Sequence, residues 1–433
     1  MAMDGKELVE KLAKLSQVQS IKDIPQLTHA LFPGTHCPLM GAAMAVGGIK
    51  DSLIVVVGTD ECTYYTKSMT IHSEKFGGID GRCVSVVLDD HDVTFGSAEK
   101  VQESFKEIIE EYRPQCVFLV TTCVIEIIGD DFDAISEGLS KLYGIPVLPV
   151  HTEHFKCEDH LPGLERTITV CAEMMKSCDS DNSVNLLGQR MGDFATTELY
   201  AMLQKAGVKI GLQLPCGCSV DDIKNAAAAK VNIVVNDIAL PLAQKMQEKF
   251  GIPYVYFNKF VIPEKIYEAY KNLFGYLELE LPGELEGLYQ NAREKIEKNK
   301  GELEGITYIY GNTPYAVFEM NCFLSSLGMV PQVIQTNRYT EADEPYAKEI
   351  LQYTDPYVCK AANIAPLQYV YDVLSPYLYL GHEFGNRLRQ KGIAIVHSDR
   401  ASGMLGFEVT GYLLQQLVKS VREAKEYRKE LGL

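Results

Sequence analysis

No run in this chain stays apolar for the roughly 18 residues that a membrane-spanning helix needs, so a helical membrane role is excluded from the outset. The opening Met-Ala-Met-Asp-Gly-Lys-Glu-Leu is charged and lacks the apolar core of a signal peptide, which makes the cytoplasm the expected compartment. No G-x-x-x-x-G-K-[ST] occurs, so there is no P-loop nucleotide site in this chain. No G-x-G-x-x-G follows a predicted strand, and no G-x-S-x-G nucleophile elbow is present. Basic residues are in short supply, 41 Lys and Arg against 58 Asp and Glu, for a net charge of −17. Phosphate backbones are held by clustered Lys and Arg, so nucleic acid is excluded as a partner.

Cysteine, by contrast, is plentiful, with 12 residues. A cytoplasmic chain does not keep these as a disulfide framework. Cys83, Cys116, Cys171, Cys322 and Cys359 read as small buried hydrophobes. Cys37, Cys62 and Cys123 differ in context: Phe32-Pro-Gly-Thr-His-Cys37-Pro-Leu-Met-Gly41, Val57-Gly-Thr-Asp-Glu-Cys62, and Val120-Thr-Thr-Cys123-Val-Ile-Glu126. The second and third follow apolar runs, Leu53–Val57 and Val117–Val120, that read as buried parallel strands. Ligands in such sheets bind beyond the strands' carboxyl ends. Cys37 precedes Pro38, a residue suited to the first position of a helix. All three thiols therefore fall where helix N-termini favour thiolate, which suits a metal cluster better than a disulfide.

With 433 residues the chain exceeds one ordinary core, and 46% hydrophobic content marks a globular protein. Leu8, Leu12 and Leu15 predict an amphipathic helix over Gly5 to Gln19. Strands are expected at Leu53–Val57, Val84–Leu88, Val117–Val120 and Val147–Val150, with helices from Ser97 and over Asp131–Leu142 between them. A second series runs from Val184–Gly188 through Val208–Leu212 and Val231–Val235 to Tyr254–Phe257. The charged stretch Gly283–Glu304 predicts a solvated linking helix. A third series holds Ile306–Tyr310, Gln332–Gln335, Tyr357–Cys359, Tyr377–Leu380 and Ile393–Val396, before a terminal amphipathic helix over Phe407–Arg428. The expected architecture is α/β, in three parallel-sheet units: residues 1–180 with the cysteines, 181–300, and 301–433.

Two further segments carry candidate chemistry. His151-Thr-Glu-His154-Phe-Lys-Cys157-Glu-Asp-His160 follows a strand and packs three His and a Cys into ten positions. Zinc, a proton relay or a substrate pocket each uses such residues. The loop Cys216-Gly217-Cys218 also follows a strand, although the pair alone is weak evidence for metal.

The three cysteine contexts, with Glu126, Ile128-Gly-Asp-Asp131, Cys37-Pro-Leu, Gly251-Ile-Pro253 and Ser398–Phe407 in order, resemble the nitrogenase component 1 family over nearly the whole chain. That family includes nitrogenase α- and β-type subunits, cofactor-assembly scaffolds, dark-operative protochlorophyllide reductase subunits and the reductive cyclase of coenzyme F430 synthesis. The resemblance implies three Rossmann-like domains around a central cleft. It makes Cys37, Cys62 and Cys123 ligands of an iron–sulfur cluster shared between two subunits, [4Fe–4S] by default or a larger [8Fe–7S] type, in a homodimer or with a related subunit. It also implies an ATP-hydrolysing iron protein as electron donor. Asn236 and Leu405 stand where the nitrogenase α-type subunit has the Cys and His that hold its iron–molybdenum cofactor. The expected function is therefore a nitrogenase-like reductase acting on a small-molecule substrate in the cleft, plausibly a tetrapyrrole, with His160 as proton donor near its usual pKa of about 6.5. Cluster-assembly scaffold, or a non-catalytic cluster-ligating subunit, are the alternatives.

Overall fold

The structure is a computed structural model that describes residues 4–27, 36–71, 81–157, 159–190, 192–311, 313, 315–360 and 364–433. The lead-in 32–35 to Cys37, and Glu158 in the histidine-rich segment, lie outside the described residues.

Continuous apolar runs make strands that are buried on both faces. Ser52–Gly58 and Cys116–Thr121 have every residue buried, and they pair in parallel at the centre of a four-stranded sheet between Cys83–Val87 and Val147–Val150. The pleat divides the run. Leu53, Val55 and Val57 join a core with Phe105 of the helix Ala98–Tyr112 and Ile135 of the helix Phe132–Tyr143. Ile54 and Val56 face the other way, into a core shared with the helices Pro38–Gly47 and Leu161–Val170.

That second core does not stop at the first sheet. It takes in Leu187, Leu212, Leu214 and Val234 from a second parallel sheet, ordered Tyr254–Tyr256, Val231–Val234, Val184–Gln189 and Ile210–Pro215. A two-residue parallel ladder, Ile49 opposite Cys218 and Lys50 opposite Ser219, ties the two sheets' units together. Ile210–Pro215 begins two residues later than the sequence pattern predicts and so ends directly at Cys216.

The third sheet runs Tyr357–Cys359, Val330–Gln335, Thr307–Tyr310, Leu378–Leu380 and Ala394–Val396, all parallel. Its free edge is filled from an unexpected place. The predicted helix over Gly5 to Gln19 stops at Glu10, and Ala13–Lys14 forms an antiparallel edge strand on Tyr357–Cys359. Leu8, Leu12 and Leu15 are buried as expected, but against the third unit. The apolar spacing serves a helix followed by a strand because the open sheet edge offers backbone partners. Lys14 reinforces it, its Nζ lying 3.7 Å from the centre of the Tyr357 ring and 2.9 Å from the Asp355 carbonyl. This N-terminal arm thus belongs with the third sheet, a correction to its expected place in the first unit.

The charged helix Leu285–Leu303 packs along the terminal helix Glu408–Leu431, burying Leu285, Ala292 and Leu303 and leaving its charges outside. Among the described residues no helix is long and apolar enough to cross a membrane.

Candidate cluster and cleft site

Each of the three cysteines begins a helix. Cys37 is the extended N-cap of Pro38–Gly47, with proline in the first turn. Cys62 lies in the first turn of Asp60–Ile71, after the strand Ser52–Gly58, and Cys123 opens Cys123–Ile128 after the neighbouring strand Cys116–Thr121. Adjacent parallel strands in register, Val57 opposite Thr121, deliver the last two to the same sheet edge. All three are half-buried free thiols.

The Cys123 thiol is pushed above its usual pKa, first by desolvation and then by repulsion from Cys62, with a smaller push from Cys37. The amides of Cys123 and Val124 act in the opposite direction. The helix-start effect expected from the sequence is therefore present but outweighed. The pushes from Cys62 and Cys37 place their sulfurs in the electrostatic neighbourhood of Cys123. No three His, Cys, Asp or Glu side chains among the described residues close to the spacing of a single metal ion. A multi-iron cluster makes a different demand, because each thiolate takes its own iron and the sulfurs stand apart. Three half-buried thiols, two of which raise the cost of ionising the third, fit a cationic multi-iron partner, which reverses that cost.

Three large exposed side chains stand on these helices: Tyr65 (68% exposed) one turn on from Cys62, Tyr64 next to it in sequence, and Ile127 (72%) one turn on from Cys123. Large exposed side chains thus stand on the same helices as the half-buried thiols.

Glu126 fastens the Cys123 helix to the histidine-rich segment. Its carboxylate accepts from the hydroxyls of Thr121 (2.9 Å) and Thr152 (3.0 Å) and from the amides of Glu153 and His154. Beyond that clamp the segment does not converge on one site. His151 pairs with Asp133 at 3.1 Å, and His154 is exposed. Cys157 donates to the Thr152 carbonyl at 3.7 Å beside Arg166, with its pKa raised mainly by burial.

Of the segment's three histidines, His160 is the one drawn toward the interior. It is the N-cap of Leu161–Val170, which crosses Pro38–Gly47 so closely that a Cβ on Gly41 would sit 1.9 Å from the His160 carbonyl. Its ring meets that of His36 edge-on at 6.4 Å. Burial, then Arg190, lowers its pKa to about 4, with His36 adding to the effect and Asp159 opposing it. The imidazole is neutral at pH 7, a correction to its expected titration near neutrality.

His160 lies within electrostatic reach of Arg190, where loops from strand ends of the second and third sheets converge, and we call this junction the cleft. Arg190 follows Val184–Gln189, Cys216 follows Ile210–Pro215, and Lys259 comes three residues after Tyr254–Tyr256. The Cys216 thiol donates to the Arg190 carbonyl at 3.2 Å, and Lys259 donates to the carbonyl of Ser402, beyond Ala394–Val396. Gly192 meets Gly403 so closely that a Cβ on Gly192 would lie 2.8 Å from the Gly403 Cα; its φ of 78° also favours glycine.

Cys216 and Cys218 separate. Cys216 borders the cleft, whereas Cys218 is buried in the ladder with Ile49, its pKa pushed up to about 12 by desolvation. Asn236 caps the turn Asp237–Ala239 by accepting from the Ile238 amide at 3.2 Å. Leu405 is a core residue packed with Leu199 and Phe407. Cys83, Cys116, Cys171, Cys322 and Cys359 are all buried, as expected. Arg190 and Lys259 went unmarked in the sequence. The strand-end rule that singles out the cysteines reaches them equally when applied to charged residues.

The chain has recognisable relatives. Over 331 residues it is 25% identical to the nitrogenase iron-molybdenum cofactor biosynthesis protein NifE of Rippkaea orientalis, a match covering 73% of this chain and 69% of that one. The protein of that name from Clostridium pasteurianum is 30% identical over 224 residues, 51% of this chain and 49% of its own length, so that match spans about half of the relative. The nitrogenase molybdenum-iron protein alpha chain of Methanosarcina barkeri is 24% identical across 72% of this chain and 62% of its own. Among solved structures, nitrogenase Cp1 at pH 6.5 superposes with a TM-score of 0.79 at 15% identity, covering 93% of this chain and 95% of the other, which establishes the shared fold. A family model spanning residues 37–422 starts at the first of the three cysteines and takes in every cleft residue named above, and on that extent the chain belongs to the nitrogenase component 1 type oxidoreductases.

Proposed function

We propose that this protein is the component 1-type subunit of a nitrogenase-like reductase, in which Cys37, Cys62 and Cys123 bind an iron–sulfur cluster at a subunit interface and the cleft receives the substrate. The carrying observation is the trio of half-buried thiols at three helix starts, with Cys62 and Cys37 both acting on Cys123 and with exposed Tyr64, Tyr65 and Ile127 on the same helices. When bound, such a cluster supplies low-potential one-electron transfer. A [4Fe–4S] cluster is the first expectation, with an [8Fe–7S] type open to six cysteines across a dimer. A second component 1-type subunit, identical or related, covers the exposed face. The acidic chain carries no P-loop, so electrons come from a separate ATP-hydrolysing iron protein. In the cleft, neutral His160 serves the substrate as a hydrogen-bonding partner. The substrate is an organic molecule, with a tetrapyrrole as the leading case.

Anaerobic purification with iron and sulfide analysis tests the cluster. Cys37→Ala, Cys62→Ala and Cys123→Ala should each lose most of the iron and its thiolate charge-transfer absorption while staying folded by circular dichroism. Parent-like iron in all three sinks the assignment. Turnover should need the iron protein and ATP together.

A second reading is a scaffold on which a metal cluster is assembled, favoured by relatives named as cofactor biosynthesis proteins. A purified protein that releases a heterometal cluster to an acceptor and turns over no substrate supports it.

A further inference from the structure

Arg190 and Lys259 are cations in the cleft that the chain itself does not neutralise. The Nη1 of Arg190 is sealed from solvent and has no hydrogen-bond partner. Lys259 is only 9% exposed, and its ammonium has a single recorded partner, the neutral Ser402 carbonyl. Among the described residues neither forms an ion pair with a carboxylate. They also repel each other, and Arg190 presses on His160 as well. The nearby groups of opposite tendency, Asp159 and the Cys216 thiol, act on Arg190 only as weaker counterweights to its desolvation.

A buried charge without a partner is strongly unfavourable, and two that repel are more so. Such an arrangement persists where a ligand brings the missing charge. Three further features point the same way. The cations arise from different strand ends, yet Lys259 donates to Ser402, whose neighbour Gly403 packs on Gly192 two residues from Arg190, and Arg190 acts on Lys259 electrostatically. The guanidinium is a planar fork matched to the two oxygens of an oxyanion, while the ammonium is a compact point charge. Gly192 and Gly403, close in sequence to Arg190 and Ser402, pack backbone against backbone with no room for a side chain between them.

We infer that Arg190 and Lys259 form a dianion-binding site that fixes a ligand's oxyanion groups, carboxylate or phosphate, inside the cleft. The inference rests on reading the cleft as the ligand site, and it is independent of the iron–sulfur assignment. The substrate class it names is an organic molecule carrying at least two negative charges. A neutral or cationic molecule does not satisfy this site.

The test is calorimetric titration of the full chain with propane-1,2,3-tricarboxylate, with inorganic phosphate, and with acetate as a monoanion. Saturable binding of a multiply charged probe is expected, with acetate at least about tenfold weaker. Tricarboxylate binding without phosphate binding assigns carboxylates to the ligand; binding of both shows a site that reads charge. Arg190→Gln and Lys259→Met should each weaken the probe about tenfold or more. The empty Lys259→Met protein should melt at or above the parent, since a repulsion is relieved, while losing the probe-induced rise in melting temperature. A strut role predicts the reverse, and a variant that melts well below the parent overturns the site. So does the absence of saturable binding, or equal binding by parent and variants. Cys62→Ala should bind the probe as the parent does, so loss of the cluster and loss of the anion site are read separately.

Discussion

At His160 an imidazole is held between Arg190 and His36 in a half-buried position, and its proton affinity falls accordingly. Its folded pKa of about 4 lies below the unfolded value near 6.5. Between those limits the unfolded chain binds the extra proton, so this group's stabilisation is intact above pH 6.5 and is lost as pH falls toward 4. The span corresponds to at most about 3 kcal/mol. His160→Gln keeps a polar side chain but cannot ionise. Its urea midpoint should therefore fall less than the parent's between pH 7 and pH 5, and parallel curves would place the ring in solvent. Lys259 shows the same sign at the other end of the scale. Burial and Arg190 lower it to about 8, so stability should rise from pH 8 toward its unfolded value near 10.5, while anion binding weakens over that range. Tricarboxylate titrations at pH 7 and pH 9.5 check this, with tighter binding at pH 7 expected.

Two glycines set how the elements around the site can approach. A Cβ on Gly41 would lie 1.9 Å from the His160 carbonyl, and one on Gly163 would lie 1.8 Å from the Pro38 carbonyl. Each obstruction is backbone, which cannot step aside, so the helices carrying Cys37 and His160 must separate to admit even one methyl group. Gly41→Ala and Gly163→Ala should each cost about 1–3 kcal/mol. Both should also loosen cluster retention, since Cys37 caps the displaced helix; the checks are thermal melting and iron content. A variant as stable as the parent would mean that the crossing is wider than described. Much at this level was legible in the sequence. Val147–Val150 and Tyr357–Cys359 fall where their apolar runs predict, because largely buried strands write short runs of hydrophobicity. The helix spacing of Val101, Phe105 and Ile108 is equally direct. What stayed hidden depends on distant partners. Nothing local in Ala13–Lys14 announces an edge strand, and nothing in Lys259 reveals that its neighbours will exclude water. The pattern around Cys216–Cys218 marks a loop, but only the Ile49 ladder shows that one thiol is core and the other borders the cleft.

For the molecule as a whole, the proposed covering subunit would sit on the exposed Tyr65 and Ile127 beside the half-buried cysteines. Ile127→Arg or Tyr65→Glu places a charge on that face without touching a core. Sedimentation under anaerobic conditions should then show single chains where the parent forms an assembly, together with loss of iron. Unchanged assembly moves the contact elsewhere.

The N-terminal arm has a consequence for synthesis. The bond from Lys14 to Asp355 joins residues 341 positions apart, and the arm's strand partners are its immediate neighbours. At 5–20 residues per second, roughly 20–70 s separate the appearance of the arm from that of its partner strand. Through that interval Leu8, Leu12 and Leu15 have no native surface to cover, while the first two sheets can already close on each other. The arm docks only once the third sheet exists, so its protection from protease or amide exchange on the ribosome would time the completion of the fold.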